Sequence, residues 1–193
     1  SGPFVAVLHG GPGAPGTMAP VARELAVSFR VIEPFQRGSG GEPLTVERHV
    51  ADLHSVVTSR CGAEKPAIVG HSWGAMLALA YAAAHPVRVA AVVLIGCGTF
   101  DEAARARLRA ILDDKMNDAL RKRIALLAVE LPDPDRRLKA LGELLLPLYS
   151  HDLVTADLEC ASCDARAHRE TWDDMVRLQA EGVYPAAFAA IEA

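Results

Sequence analysis

Ser72 sits in the surroundings best arranged for chemistry in this chain. It is the centre of Gly70-His71-Ser72-Trp73-Gly74, a G-x-S-x-G pattern. Before it, Pro66-Ala67-Ile68-Val69 reads as a short buried strand, and after it Ala75 to Ala84 is rich in strong helix formers. A serine on so sharp a strand-to-helix turn is held in a strained backbone, with Oγ exposed above a helix N-terminus. The flanking glycines are needed because a Cβ there would meet the neighbouring element. That placement suits a nucleophile attacking an acyl carbonyl. Five residues can also match such a pattern by chance; a strand before, a helix after and a second motif upstream favour the nucleophile.

The second motif is His9-Gly10-Gly11-Pro12-Gly13, which comes after the apolar run Phe4-Val5-Ala6-Val7-Leu8. Acyl transfer needs two donors aimed at the oxygen that becomes negative in the tetrahedral intermediate. One is the backbone N–H of the residue after the nucleophile, here Trp73, and the other is an N–H from the loop after an earlier strand, assigned to Gly11. Gly10 lets that loop approach, and His9 supports its shape. Alone, the string would read as an ordinary Gly/Pro turn; paired with Ser72 it reads as half of an oxyanion hole.

Taken with Gln36-Arg37-Gly38-Ser39-Gly40 between them, these motifs resemble the α/β-hydrolase family, and within it the proline iminopeptidase branch. Their order and spacing fit from residue 1 to residue 98. The resemblance implies a partial parallel-sheet α/β core with the nucleophile elbow over residues 1–98. It implies a helical cap over residues 99–193 that leads back to further core strands. It also implies a serine hydrolase that cleaves a small ester or amide through an acyl-enzyme on Ser72, acting on a small molecule or short peptide, with no cofactor. A serine nucleophile argues against the epoxide-hydrolase and dehalogenase branches, which use a carboxylate. The alternatives are a carboxylesterase or lactonase on the same scaffold, or a ligand-binding relative that kept the elbow and lost the base. The family usually carries an Asp directly before Gln-Arg-Gly, where this chain has Phe35.

A general base must take the Ser72 proton, and a carboxylate must orient that base. Downstream of Ser72 stand His85, His151 and His168. His85 ends the helix after the elbow, and the other two fall in the helical half; none has the flanks of a triad histidine. His71 is assigned to packing beneath the elbow. In the family the acid and the histidine come after the seventh and eighth strands. This sequence begins at what corresponds to the third strand and stops about where the seventh would start. The expectation is therefore a fragment lacking both ends of the fold, inactive alone, with Asp and His beyond residue 193.

The elements that position these motifs alternate. Strands are expected at 4–8, 30–33, 67–69 and 89–95, the last as a buried strand. Helices are expected at 19–27, 46–60 and 75–85. Alternation of this kind argues for a parallel sheet covered on both faces, with ligands bound outside the carboxyl ends of the strands. The family order of the strands is 30–33, 4–8, 67–69, 89–95. Beyond Gly98 the pattern is helical: 101–131, a break at Pro132-Asp133-Pro134, then 135–149, 165–181 and 185–191. Trp172, Met175, Val176 and Gln179 are expected to share a face. Trp172, Val183 and Tyr184 are read as packing residues rather than pocket lining.

Composition narrows the classes. The chain has 193 residues, 51% hydrophobic and 23% charged, which suits one well-buried domain. Twenty basic and 24 acidic residues give a net charge of −4, with no basic stripe to bind nucleic acid. No apolar run is long enough to cross a membrane, and nothing reads as a signal peptide, so a cytoplasmic setting is expected. The cysteines are Cys61, Cys97, Cys160 and Cys163. Cys160-Ala161-Ser162-Cys163 lacks the second ligand pair of a zinc site and the preceding strand of a redox motif, so no metal is assigned.

Overall fold

Along β1 (Phe4–Leu8) the side chains alternate between two cores. Val5 and Val7 face Met18 and Ala22, while Ala6 and Leu8 join the larger cluster on the opposite side. This period of two is what a strand buried on both faces requires. The computed structural model describes residues 2–152, 162–189 and 191. Three further strands join β1: β2 (Arg30–Ile32), β3 (Ala67–His71) and β4 (Ala91–Ile95). The sheet is parallel in the expected order β2-β1-β3-β4. Leu8 pairs with Gly70 and His71 with Ile95, so the carboxyl ends of three strands finish at one level.

Helix α1 (Ala19–Leu25) covers one face and carries Pro20 in its first turn, where a missing N–H costs little. On the other face lie α2 (Val46–Cys61) and α3 (Trp73–Ala84). Thr45 caps α2 by accepting from the Arg48 N–H at 3.2 Å. Its expected stripe of Val46, Val50, Leu53 and Val57 is buried against Ile68, Met76, Leu77 and Tyr81. The apolar sequence of α3 is explained by burial nearly all round, from Trp73 to Ala78 and again at Tyr81 and Ala82.

β4 departs from expectation. It starts at Ala91, after a 3-10 turn over Pro86–Arg88, and it is not a buried strand: Val93 is 47% exposed, and Leu94 and Ile95 are also exposed. The strand lies at the edge of the described sheet, pairing only with β3. Its apolar composition gives it the look of an interior strand.

The second half is helical. The single stretch expected over 101–131 is two helices, α4 (Glu102–Lys115) and α5 (Asp118–Glu130). Asn117 divides them because its side chain accepts from the Leu120 N–H at 2.9 Å and so caps a new helix. Asp133 caps α6 (Pro134–Tyr149) in the same way. α7 (Ala165–Ala180) buries Ala167, Thr171, Met175 and Gln179 at i, i+4, i+8 and i+12. Trp172 lies off that stripe, 43% exposed, because the helix turns about 100° per residue and 172 falls beside the buried line. Gly182 (φ +71°) ends this segment, and α8 (Val183–Ala189) begins directly after it, two residues earlier than expected. Tyr184 is buried as expected, whereas Val183 is exposed. Among the described residues no helix is long and apolar enough to cross a membrane.

Candidate active site

Ser72 has φ 51° and ψ −116°, and it is the only described non-glycine residue with positive φ. Such a conformation costs roughly 1–3 kcal/mol and persists only where the surroundings enforce it. Here the surroundings are β3 on one side and α3 on the other. A Cβ on Gly70 would collide with Gly74 O, and a Cβ on Gly74 would collide with Leu8 O. The Ser72 N–H donates to Ile95 O at 2.9 Å, which ties the turn to β4. Its carbonyl accepts from Ala75 at 3.1 Å and Met76 at 3.3 Å, so α3 starts directly on the serine. Trp73 is the first residue of α3, and the Ser72 side chain makes no capping bond. The Trp73 N–H is therefore one of the donors that a helix cannot satisfy internally.

The loop after β1 presses onto this turn. A Cβ on Gly10 would stand 2.9 Å from Ser72 Cβ and 2.8 Å from His71 Nδ1, closer than packed side chains tolerate. Gly11 comes next with φ +58°, and its carbonyl accepts from Ala14 at 2.9 Å, closing a tight turn. His9 is fully buried; its Nδ1 donates to Gly10 O at 3.1 Å, and its Nε2 accepts from the Gln36 N–H at 3.2 Å. Burial holds the His9 imidazole below its ordinary pKa, which keeps the neutral tautomer that both bonds require. His9 thus braces the loop.

Gln36, just past the end of β2, is a hub of the site whose bonding role the sequence does not reveal. Its Nε2 donates to His9 O at 3.0 Å, and its Oε1 accepts from Trp73 Nε1 at 2.7 Å. One amide thus joins the loops after β1 and β2 to the residue after the serine. Arg37 holds the same segment to α2 through a two-pronged pair with Asp52, at 2.7 and 2.6 Å. The signal for this hub lies in Gln36-Arg37-Gly38-Ser39-Gly40, which carries the family resemblance without revealing what its glutamine holds. Phe35 beside it is 60% exposed.

An elbow and loops in this geometry have counterparts among known proteins. The family model described as the alpha/beta hydrolase fold matches residues 3–158. The chain belongs to the α/β-hydrolase family. It is 40% identical over 101 residues to a proline iminopeptidase of Neisseria gonorrhoeae, a match covering 48% of this chain and 32% of that protein. The chain therefore spans about a third of the length of that relative. It is 32% identical over 178 residues to a pimeloyl-[acyl-carrier protein] methyl ester esterase of Chromobacterium violaceum, covering 86% of this chain and 70% of that protein. Among solved structures, a thermophilic esterase from Thermogutta terrifontis superposes with a TM-score of 0.56 at 20% identity, over 94% of this chain and 66% of that one. That last likeness establishes the fold alone.

The other described histidines of this α/β-hydrolase chain make no hydrogen bond to the serine hydroxyl. His71 is exposed at the carboxyl end of β3, not packed beneath the elbow; Gly10 and Gly96 flank its ring. Side chains alternate along a strand, and the sharp turn after His71 leaves it at the rim. His85 stacks on His54 with ring centroids 4.0 Å apart, at the far end of α3 from Ser72. His151 is exposed. His168 is half-buried on α7 and stacks on Trp172 at 6.0 Å. Among the described residues no histidine is hydrogen bonded to Ser72 Oγ. His49, which no sequence motif singles out, is buried, bonds Thr171 Oγ1 at 2.9 Å, and sets its ring edge-on to Trp73 at 5.9 Å.

Of the C-x-x-C pair, Cys160 lies outside the described residues, and Cys163 is half-buried. Burial pushes the Cys97 thiol up to about 11, which keeps it protonated and unreactive. Among the described residues no group of three or more His, Cys, Asp or Glu side chains is placed to hold a metal ion.

Proposed function

We propose that this chain carries the nucleophile and oxyanion hole of a serine hydrolase that cleaves a small ester or amide through an acyl-enzyme on Ser72. The observation that carries the reading is the strained Ser72 backbone, φ 51°, with the Gly10 loop pressed against it. Ser72 Oγ attacks the carbonyl carbon while its proton passes to a general base. The carbonyl oxygen becomes an oxyanion facing the N–H groups of Gly11 and Trp73. Collapse of the tetrahedral intermediate expels the alcohol or amine, which takes up the proton, and leaves the acyl group on Ser72. Water then attacks the acyl-enzyme and releases the acid. The donors are held before reaction: Gly11 by its tight turn, and Trp73 by the start of α3 and by Gln36. The helical half, residues 99–193, acts as a cap that shapes the acyl and leaving-group pockets.

Esters are the favoured substrates over prolyl amides. Two observations support this: Phe35 replaces the carboxylate usual in the iminopeptidase branch, and the longer of the two matches is to a methyl ester esterase. The test is labelling of the intact enzyme with an organophosphonate, then peptide mapping, beside Ser72→Ala. Modification at Ser72 and a fall in turnover of several orders of magnitude are expected. Labelling at another serine, or near-normal turnover in Ser72→Ala, overturns the assignment. A panel of activated esters and prolyl arylamides checks the preference.

A further inference from the structure

The helical half reaches the loops around Ser72 through one residue, Asp164, by its carboxylate and by its main-chain N–H. Asp164 precedes α7 and caps it, with Oδ1 accepting from the Ala167 N–H at 2.8 Å. Its Oδ2 accepts from the Ser39 N–H at 2.7 Å, in the loop that carries Gln36. Its own N–H donates to Gly13 O at 2.8 Å, in the loop that carries Gly10 and Gly11. The fit at Gly13 is close: φ is +75°, and a Cβ there would collide with Asp164 O. Burial opposes ionisation of this carboxyl, yet the N–H donors of Ala167 and Ser39 outweigh it and hold the pKa below the usual carboxylate value. Asp164 is therefore ionised and doubly occupied.

Two more carboxylates of α7 grip the chain further on. Glu170 Oε2 accepts from the Leu44 N–H at 3.0 Å, and Asp174 Oδ2 accepts from the Val46 N–H at 2.9 Å. Arg166 and Arg177 hold these two carboxylates in place through ion pairs at 2.7 Å. They fasten α7 to the entry of α2. Of the three, Asp164 alone meets the Gly10–Gly13 loop, by way of Gly13 O.

We propose that Asp164 is a positioning residue: from the helical half it sets the backbone of Gly10–Gly13, and with it the Gly11 donor opposite Ser72. The geometry has a direct consequence. Any movement of the first turn of α7 is transmitted to the oxyanion loop through Gly13 O and to the Gln36 loop through Ser39 N–H. The proposal rests on the serine-hydrolase reading for its effect on chemistry, but not for its effect on the loops.

The experiment compares amide hydrogen exchange and Ser72 phosphonylation in the intact enzyme, Asp164→Asn and Asp164→Ala. Asn caps helices as well as Asp, so Asp164→Asn keeps the first turn of α7 but loses a second acceptor for Ser39. Both variants should exchange about ten- to a hundredfold faster in residues 38–42, as expected for losing a charge-assisted bond to Ser39; residues 10–16 should also exchange faster, because the carboxylate anchors the main-chain N–H that Gly13 O accepts. Only Asp164→Ala should also loosen the first turn of α7. In Asp164→Asn the maximal labelling rate should fall at least about tenfold, while the half-saturating probe concentration stays within about twofold. Unchanged loop exchange in Asp164→Asn, or a wild-type labelling rate, overturns the proposal; so does a loss that merely tracks a fall in Tm. If the intact wild-type enzyme takes no label at Ser72, the serine-hydrolase reading fails, and the exchange data alone decide the role of Asp164.

Discussion

The indole of Trp73 donates to Gln36 Oε1 across 2.7 Å, so the residue directly after the serine is tied to the loop after β2. Because the same amide also donates to His9 O, a single side chain fixes the spacing between the two proposed oxyanion donors.

Gln36→Leu should therefore cost stability as well as rate. It strands the buried Trp73 Nε1–H and removes the bond to His9 O. Each unsatisfied buried group costs about 1–3 kcal/mol. A lower urea midpoint at unchanged m-value is the expected result; a midpoint equal to wild type would show that Gln36 braces nothing.

Gly74 and Gly142 should respond oppositely to alanine. A Cβ on Gly74 would collide with the backbone oxygen of Leu8, which cannot move without breaking the β1–β3 pairing, and the loss should exceed about 3 kcal/mol or abolish folding. Gly142 lies inside α6 with nothing within 4 Å of the added atom, so Gly142→Ala should stabilise by about 0.5–1 kcal/mol. Thermal melts of the two variants measure both.

Acid should destabilise the fold before the carboxylates titrate. His49 is lowered to about 4, first by burial, with Asp52 and Asp174 pushing it up and His9 and Arg37 pushing it down. His9 is lowered as well, again by burial. A histidine depressed on folding binds its proton more readily when unfolded, so its contribution is complete above about pH 6.5 and is lost as pH falls towards its folded value. For His49 that amounts to roughly 3 kcal/mol between pH 6.5 and pH 4, at about 1.4 kcal/mol per unit. Urea midpoints across this window should fall with pH, and His49→Gln should flatten the slope. A pH-independent midpoint would mean that His49 is solvated in the folded chain.

Exchange of residues 99–193 for the helical half of a related hydrolase should change the ratio of kcat/KM between short esters and aminoacyl arylamides, since the proposed cap shapes both pockets. Equal ratios across a substrate panel would place specificity in the sheet half.

Short-range sterics and periodicity are what the sequence by itself determined. The alternation at Val5–Leu8, the stripe on α2, the Thr45 cap and the elbow glycines each depend on residues a few positions apart. The strand order was legible too, through the resemblance carried by three motifs. Asn117 was readable in principle: an N-cap signal inside a helical run, masked by good helix formers on both sides. The tertiary structure alone decided the rest. Exposure along β4 depends on which strands and helices lie beside it, and its apolar composition carries no such information. His71 faces the rim because of the sharp turn at Ser72. The Asp164–Ser39 bond spans 125 positions, and the Gly13–Asp164 bond is longer still in sequence; each is a contact between segments far apart along the chain. Local rules place a carboxylate at a helix start. Only the packing of that helix against the sheet brings it to the loops around Ser72.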